Sequence, residues 1–481
     1  MPISRYLRCA VLALLVLAPF AACADDATID TSFHPNGVDP GWRRAYDNIQ
    51  PTANQLIVDA AQAPDGGYVL AGSVTVVAGF QRIFLAKFRP NGEYDLTFGG
   101  TEATGNAGVG RVLKNAAFTT VTAMTIDAQG RIVVVGEISG QLGQSDFGVV
   151  RFNPDGTDDM SFAGDGSTYI GFDLDGAHSR VKDVPTSVTT APDGSVYVAG
   201  TVEDVTSGGS ATQRLGVAKL LPDGTNNNTG YGTLAYGRQV FYCGYACDGV
   251  NTVARIVYDA VRNRLVIGGD FEVSEFDTDW FITTQYFGAS PSVQTASYVI
   301  DLGGPGNPDQ RGLMKRLALQ PDGRIVALGY AFDPDDNTVP VVLRAQSGSL
   351  NKDTSFGNSG ISGITLPGTI DAVYYDLAID SSGRIVLAGY HFGYEVGLAT
   401  RLMPNGAIDP DFNGDTVPST FVATTSNGAE YAHATFFGRV FLDAGRPVLA
   451  GIATDSATEY TDWDLIIMRL QSDRIFADGV Q

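Results

Sequence analysis

Aspartate-rich segments are the first residues whose type and spacing suggest chemistry. The stretch "RFNPDGTDDMSFAGDG" (151–166) holds four aspartates in sixteen residues, a density that invites a calcium loop. An EF-hand loop needs alternating oxygen ligands, glycine at its sixth position and a closing glutamate at its twelfth. Counted from Asn153, glycine falls fourth here, at Gly156. "DPDFNGDT" (409–416) fits better locally but lacks the closing glutamate. Cys243 and Cys247 lie four residues apart in "FYCGYACDG", a spacing that suits a local disulfide in an oxidising compartment. A zinc site would need two further ligands, and no histidine lies near. His34, His178, His391 and His433 form no closely spaced ligand pattern. We therefore expect no metal and no cofactor. Nucleophile elbows, phosphate loops and dinucleotide fingerprints are likewise missing from the sequence.

The aspartates make sense once the chain is compared with itself. "KFRPNGEYDLTFGG" (87–100), "RAQSGSLNKDTSFG" (344–357) and "RLMPNGAIDPDFNG" (401–414) repeat the quoted stretch, and "KLLPDGTNNNTGYG" (219–232) is a worn copy. "IDTSFHPNG" (29–37) carries the tail of one more. A second element precedes each copy: "APDGGYVLAGS" (63–73), "DAQGRIVVVGE" (127–137), "APDGSVYVAGT" (191–201), "DAVRNRLVIGGD" (259–270), "QPDGRIVALGY" (320–330), "DSSGRIVLAGY" (380–390) and "DAGRPVLAGI" (443–452). These seven occurrences recur about every 63 residues.

Within one unit, "VTAMTID" and "RIVVVGEI" are β-branched runs joined by a glycine-containing turn, the signal of a hairpin. Consecutive apolar residues in the second run predict a strand covered on both faces. "DFGVVRF" supplies a third strand, and a Pro-Asp-Gly or Pro-Asn-Gly turn follows, with proline pre-setting φ and glycine accepting positive φ. "STYIGFD" (167–173) or "GRVLKN" (110–115) gives a fourth. A lone four-stranded sheet cannot bury both faces, but stacking such sheets radially can, and closing the ring removes free edges. The chain is therefore expected to be all-β: a seven-bladed propeller of four-stranded antiparallel blades spanning 25–481 as one domain. The last unit stops after "WDLIIMRLQ" (463–471), so the segment near "GWRRAYDNIQ" (41–50) is expected to complete its blade. N- and C-terminal strands would then share one sheet. Asp95, Asp159 and Asp353 should bond backbone amides in their own turns. Phe98, Phe162, Phe356 and Phe412 should plug the space between blades, and Trp280 and Trp463 should pack between blades rather than stack on sugars.

Together, "DGxIVVAG", "RxNPDG" and "LDxSFG" patterns resemble the delta-60 repeat of bacterial secreted and surface proteins. The resemblance covers most of 29–471 and weakens in the fourth unit, where "YFGASPSVQTASYVI" (286–300) replaces the turn elements. It implies a propeller-like fold and hands over no catalytic residue.

Positions that do not repeat are where a site should lie. Aligning first strands on their following turns places Asp59, Ala123, Ser187, Arg316, Asp376 and Gly438 together, with the fourth unit ambiguous. From these, Asp59, Arg316 and Asp376 are the candidate ligand-binding residues of a polar channel wall. The chain opens "MPISRYLRCAVLALLVLAPFAACADD": a basic start, an apolar run and Ala22-Cys23-Ala24 read as a secretory signal peptide over 1–24. The alternative makes Cys23 a lipidated first residue of an outer-membrane lipoprotein. No other segment is apolar enough to span a bilayer as a helix. A net charge of −22, from 31 basic and 53 acidic residues, opposes binding to nucleic acid. The expected function is a secreted or periplasmic monomeric scaffold that binds a protein or glycan at one propeller face. The rival is a carbohydrate-active hydrolase or lyase using channel carboxylates.

Overall fold

The structure is a computed structural model. It describes residues 29–471 except 37–39, 46–54, 78–79, 100–109, 116–117, 140–143, 173–181, 206–210, 227–230, 233, 235–236, 242–249, 275–276, 288–293, 301–311, 333–336, 365–371, 392–395, 413–419, 423–433 and 455–462. Residues 1–28, with the expected signal peptide and Cys23, fall outside this set, as do Cys243 and Cys247.

Seven four-stranded antiparallel sheets form the fold. The first blade runs β2 (Gln55–Gln62), β3 (Tyr68–Val77), β4 (Phe80–Phe88), β5 (Arg111–Asn115), and the second β6 (Phe118–Ile126), β7 (Ile132–Ser139), β8 (Ser145–Phe152), β9 (Ser167–Ile170). The third comprises β10 (Val184–Thr190) to β13 (Arg238–Phe241), the fourth β14 (Val250–Asp259) to β17 (Gln294–Ile300). The fifth comprises β18 (Gly312–Leu319) to β21 (Ile361–Gly363), the sixth β22 (Ala372–Ile379) to β25 (Thr420–Val422). The seventh is β26 (Ala434–Asp443), β27 (Arg446–Thr454), β28 (Trp463–Arg469) and, from the other end of the chain, β1 (Trp42–Ala45). In that last pairing Trp42 faces Met468 and Arg43 faces Ile467. The expected sharing of one sheet by both ends is present. In the fourth blade, residues 294–300 form the outer strand although the unit lacks the usual turn residues.

Strand periodicity explains how the ring coheres. On β3, Tyr68 and Leu70 point to the seventh blade, where they pack with Val448, Ala450, Leu465 and Ile467. Val69 and Ala71 point the other way, to Val121, Met124, Ile132 and Val134 of the second blade. Successive side chains leave a strand on opposite faces, so each blade feeds two interfaces. Seven apolar clusters result, one per interface, and the one joining the last blade to the first is built like the others. Each fully buried Val, Leu or Ile contributes about 1.5–3 kcal/mol over leaving it in water.

The aspartate-rich segments are welds. Asp159 accepts hydrogen bonds from the Ser161 amide at 3.0 Å and from Arg151 Nε at 2.7 Å. Arg151, 1 % exposed, donates through Nη1 to the Pro222 carbonyl of the next blade at 2.6 Å and lies over the Phe162 ring. Arg344 repeats this with Asp353 at 2.9 Å, the Pro404 carbonyl at 2.6 Å and Phe356. Asp95 bonds the Thr97 amide as expected, with Lys87 as its cation at 3.5 Å. Phe98, Phe162, Phe356 and Phe412 are fully buried. Phe98 lies against Gly156 of the following turn, where an added Cβ would come within 2.9 Å of the ring. Glycine is needed there twice over, because its φ is +84°. The N-terminal copy completes the circle: Asp30, Ser32 and Phe33 serve Arg469 of the last blade, with Asp30 2.8 Å from Arg469 Nε.

Candidate functional site

Every innermost strand carries a β-bulge near its middle. The register slips between Ile57 and Asp59, Val121 and Ala123, Pro185 and Ser187, Val253 and Arg255, Met314 and Arg316, Tyr374 and Asp376, and Phe437 and Arg439. A bulge bends its strand and re-aims the next side chain. It also explains the glycine that ends each "VAG" run. On Gly200 an added Cβ would sit 2.0 Å from the Val184 carbonyl oxygen, and on Gly451 1.8 Å from that of Phe436.

The residues after the bulges form one ring: Asp59, Ala123, Ser187, Arg255, Arg316, Asp376, Arg439. Three of them stitch neighbouring blades. Asp59 Oδ2 accepts from the Met124 amide at 3.2 Å, Ser187 Oγ from the Ile256 amide at 3.0 Å, and Asp376 Oδ2 from the Val440 amide at 3.0 Å. The charged members meet within the ring. Asp59 pairs with Arg439 Nε at 2.9 Å, Arg255 Nη1 at 3.2 Å and Arg316 Nη2 at 3.3 Å. Arg316 Nε also holds Asp376 Oδ1 at 2.6 Å. Since Asp59 belongs to the first blade and Arg255 to the fourth, that pair reaches across the ring.

The three residues singled out from sequence, Asp59, Arg316 and Asp376, thus come together in one bonded cluster. Two partners were missed. The shared position in the seventh blade is Arg439, not Gly438, and the fourth unit contributes Arg255. The cause is turn length. Between paired Asp443 and Arg446 lie two residues, whereas Asp380 and Arg384 of the sixth blade enclose three, so counting back from the turn slips by one. In the fourth blade Asp259 and Arg264 enclose four, without a glycine. Pairing across the hairpin identifies both: each ring member lies opposite the residue just before the glycine that ends the second strand, Arg255 opposite Gly268 and Arg439 opposite Ala450.

Electrostatics in this cluster are settled by proximity. Burial pushes the Asp59 carboxyl up, but the Arg316, Arg439 and Arg255 guanidiniums and the Met124 amide outweigh it and hold Asp59 well below the usual carboxylate range. Burial, followed by repulsion from Arg316, brings Arg255 down to about 10. Burial opposes Arg316's charge, yet Asp376 and Asp59 hold its pKa above the ordinary value. The side chains of Arg255, Arg316 and Arg439 keep 20 %, 12 % and 19 % exposure.

Outside this cluster, Asp270 on β15 (Arg264–Ser274) is sealed from solvent. Burial raises its carboxyl to about 7, against the pull of the Met314 amide and Lys315. Neither of its oxygens has a hydrogen bond of standard geometry among the described residues. Trp280 is fully buried in the interface with the fifth blade, as expected, while the Trp463 side chain lies outside the described residues. His34 Nδ1 sits 2.7 Å from Glu93, which also takes Arg43. His391 is buried on β23 (Ile385–His391), and His178 and His433 lie outside the described residues. Among the described residues no group of three or more His, Cys, Asp or Glu is placed to hold a metal ion.

Seven blades closed by a shared sheet and a charged inner ring define a seven-bladed β-propeller. Four segments, 63–98, 129–162, 191–229 and 320–356, match the family described as "Domain of unknown function (DUF5122) beta-propeller". Three of the matches end on plug phenylalanines, Phe98, Phe162 and Phe356, so the family pattern spans the elements that weld the blades. No curated protein matches the chain in sequence. Among solved structures, the chain is similar to a polysaccharide lyase, Uly1 (13% identity, covering 93% of this chain and 98% of that chain, TM-score 0.45). It is also similar to a glucose dehydrogenase (10%, 89% and 99%, 0.37) and a PL25 ulvan lyase (9%, 88% and 95%, 0.36). At these TM-scores the likenesses carry no argument about activity.

Proposed function

We propose that this protein is a rigid secreted or periplasmic binding platform, built from delta-60-type repeats, that takes a protein or glycan partner at one face of the ring. Asp59, Arg316 and Asp376 contribute to a polar axial pocket in it. The supporting observation is that the ring's carboxylates are already committed. A general acid or base works best with a pKa near the operating pH and a proton within reach of substrate. Asp59 is clamped by three guanidiniums and held far too acidic for that role, and Asp376 spends its oxygens on Arg316, Leu377 and Val440. Asp270 has a suitable pKa but no exposed surface. Among the described residues the hydrolase or lyase alternative therefore finds no acid–base pair on the axis, while a preorganised charged ring suits recognition.

The test is a paired screen of the purified protein, for binding on glycan and protein arrays and for turnover of polysaccharides, esters and lactones. Saturable binding without turnover supports the platform. Turnover abolished by Asp59→Asn or Asp376→Asn would replace it with the enzyme. Intact mass of protein from cell fractions checks the compartment: a chain starting at Asp25 in the soluble fraction is expected, and an acylated Cys23 in the membrane fraction would make it a lipoprotein.

A further inference from the structure

The axial cluster is unbalanced. Three guanidiniums, from Arg255, Arg316 and Arg439, face two carboxylates, from Asp59 and Asp376, leaving one positive charge at the centre of a chain whose net charge is −22. The donors of the three arginines are unequally spent. Arg316 grips both carboxylates. Arg439 divides its nitrogens among Asp59, the Gly438 carbonyl at 2.6 Å and the Val58 carbonyl. Arg255, among the described residues, makes a single ion pair, 3.2 Å to Asp59, and its side chain is the most exposed of the three. Next to it on one side in ring order stands Ser187, and beyond that Ala123, the two smallest members.

We propose that this cluster is a binding site for a small carboxylate-bearing solute, seated on the Arg255 guanidinium. A planar guanidinium presents its N–H donors as a fork that matches a carboxylate in two parallel hydrogen bonds. One uncompensated charge in a partly desolvated setting is offset by one negative charge. A dianion such as sulfate would exceed it and meet Asp59 and Asp376 at close range, so the ring selects monoanions. This deepens the platform reading and rests on it only in taking the axis to be open to solutes.

Isothermal titration of the full-length protein in chloride-free, low-salt buffer with acetate, gluconate and sulfate tests the site. Acetate or gluconate should bind with one-to-one stoichiometry and more tightly than sulfate. Arg255→Gln should weaken binding at least tenfold, and Arg255→Lys, which keeps the charge but not the fork, should fall between. No binding of either monoanion, or undiminished binding by Arg255→Gln, overturns the proposal. Should Arg255→Gln not fold, wild-type crystals soaked in bromide decide: an anomalous peak in contact with Arg255 is expected, and its absence overturns the site. Partner binding on the arrays that is indifferent to Arg255→Gln would leave the platform standing even if the anion site failed.

Discussion

Replacing Asp30 with alanine isolates what ring closure contributes. Asp30 Oδ2 lies 2.8 Å from Arg469 Nε and 3.0 Å from Arg446 Nη1, and its Oδ1 caps the Ser32 amide at 3.0 Å. Arg469 is 5 % exposed, so losing its partner strands a buried charge. Breaking a buried pair costs about 3–5 kcal/mol. Asp443, 3.0 Å from Arg469, remains as a second counter-ion, which points to the lower end, about 3 kcal/mol. An unfolding entropy of about 2.1 cal/mol/K per residue over 481 residues is about 1 kcal/mol/K, so the melting temperature should fall by ~3 °C. Asp353→Ala is the matched control. Asp353 pairs with Arg344 at 2.9 Å and Arg324 at 3.0 Å and caps Ser355, the same chemistry inside an unbroken chain. Both variants should lose similar stability. Only Asp30→Ala should deprotect the amides of β1 to hydrogen exchange, because only there is the Asp-bearing segment joined to its blade by noncovalent contacts. Unchanged β1 exchange in Asp30→Ala, with normal destabilisation in Asp353→Ala, would refute the idea that this pair helps lock the ring.

Three further outcomes follow from the same geometry. Despite burial, Asp30, Asp159, Asp353 and Asp380 are held below the ordinary carboxylate value by serine hydroxyls and arginines. Their stabilisation is therefore complete above the unfolded value near pH 4 and is lost as pH falls through the folded values, which acid titration followed by circular dichroism should show as unfolding below about pH 4. Asp270 has the opposite sign: raised to about 7, it costs stability progressively as pH climbs from about 4 to 7. Asp270→Asn should raise the melting temperature at pH 8 and change it little at pH 4; a gain independent of pH would contradict the assignment. Gly156→Ala should destabilise by more than about 1 kcal/mol in chemical denaturation, since φ is +84° and the new Cβ would press on the Phe98 ring.

Local signals made the blades legible. Two-residue alternation, Pro-Asp-Gly turns and the Asp-x-Ser-Phe copies each act within a few residues of themselves, and repetition multiplied them. The inner ring was only half legible. Asp59, Arg316 and Asp376 emerged because the turns after them have similar lengths, while Arg255 and Arg439 were hidden by one residue more and one residue fewer in the fourth and seventh turns. A bulge, not the turn, sets that position, and a bulge leaves its mark on the partner strand as the glycine that clears the displaced carbonyl.

The sequence by itself determined the number of blades, the strands within them, the plug phenylalanines and the split blade, because short-range backbone preference and side-chain alternation suffice for these. Only the tertiary structure decided which charges meet. Asp30 and Arg469 stand 439 positions apart, and Asp59 meets Arg255 and Arg439 from 196 and 380 positions away. No local propensity encodes such distances: closing seven sheets into a circle fixes which side chains share the axis, and Coulomb attraction at about 3 Å then fixes their partners.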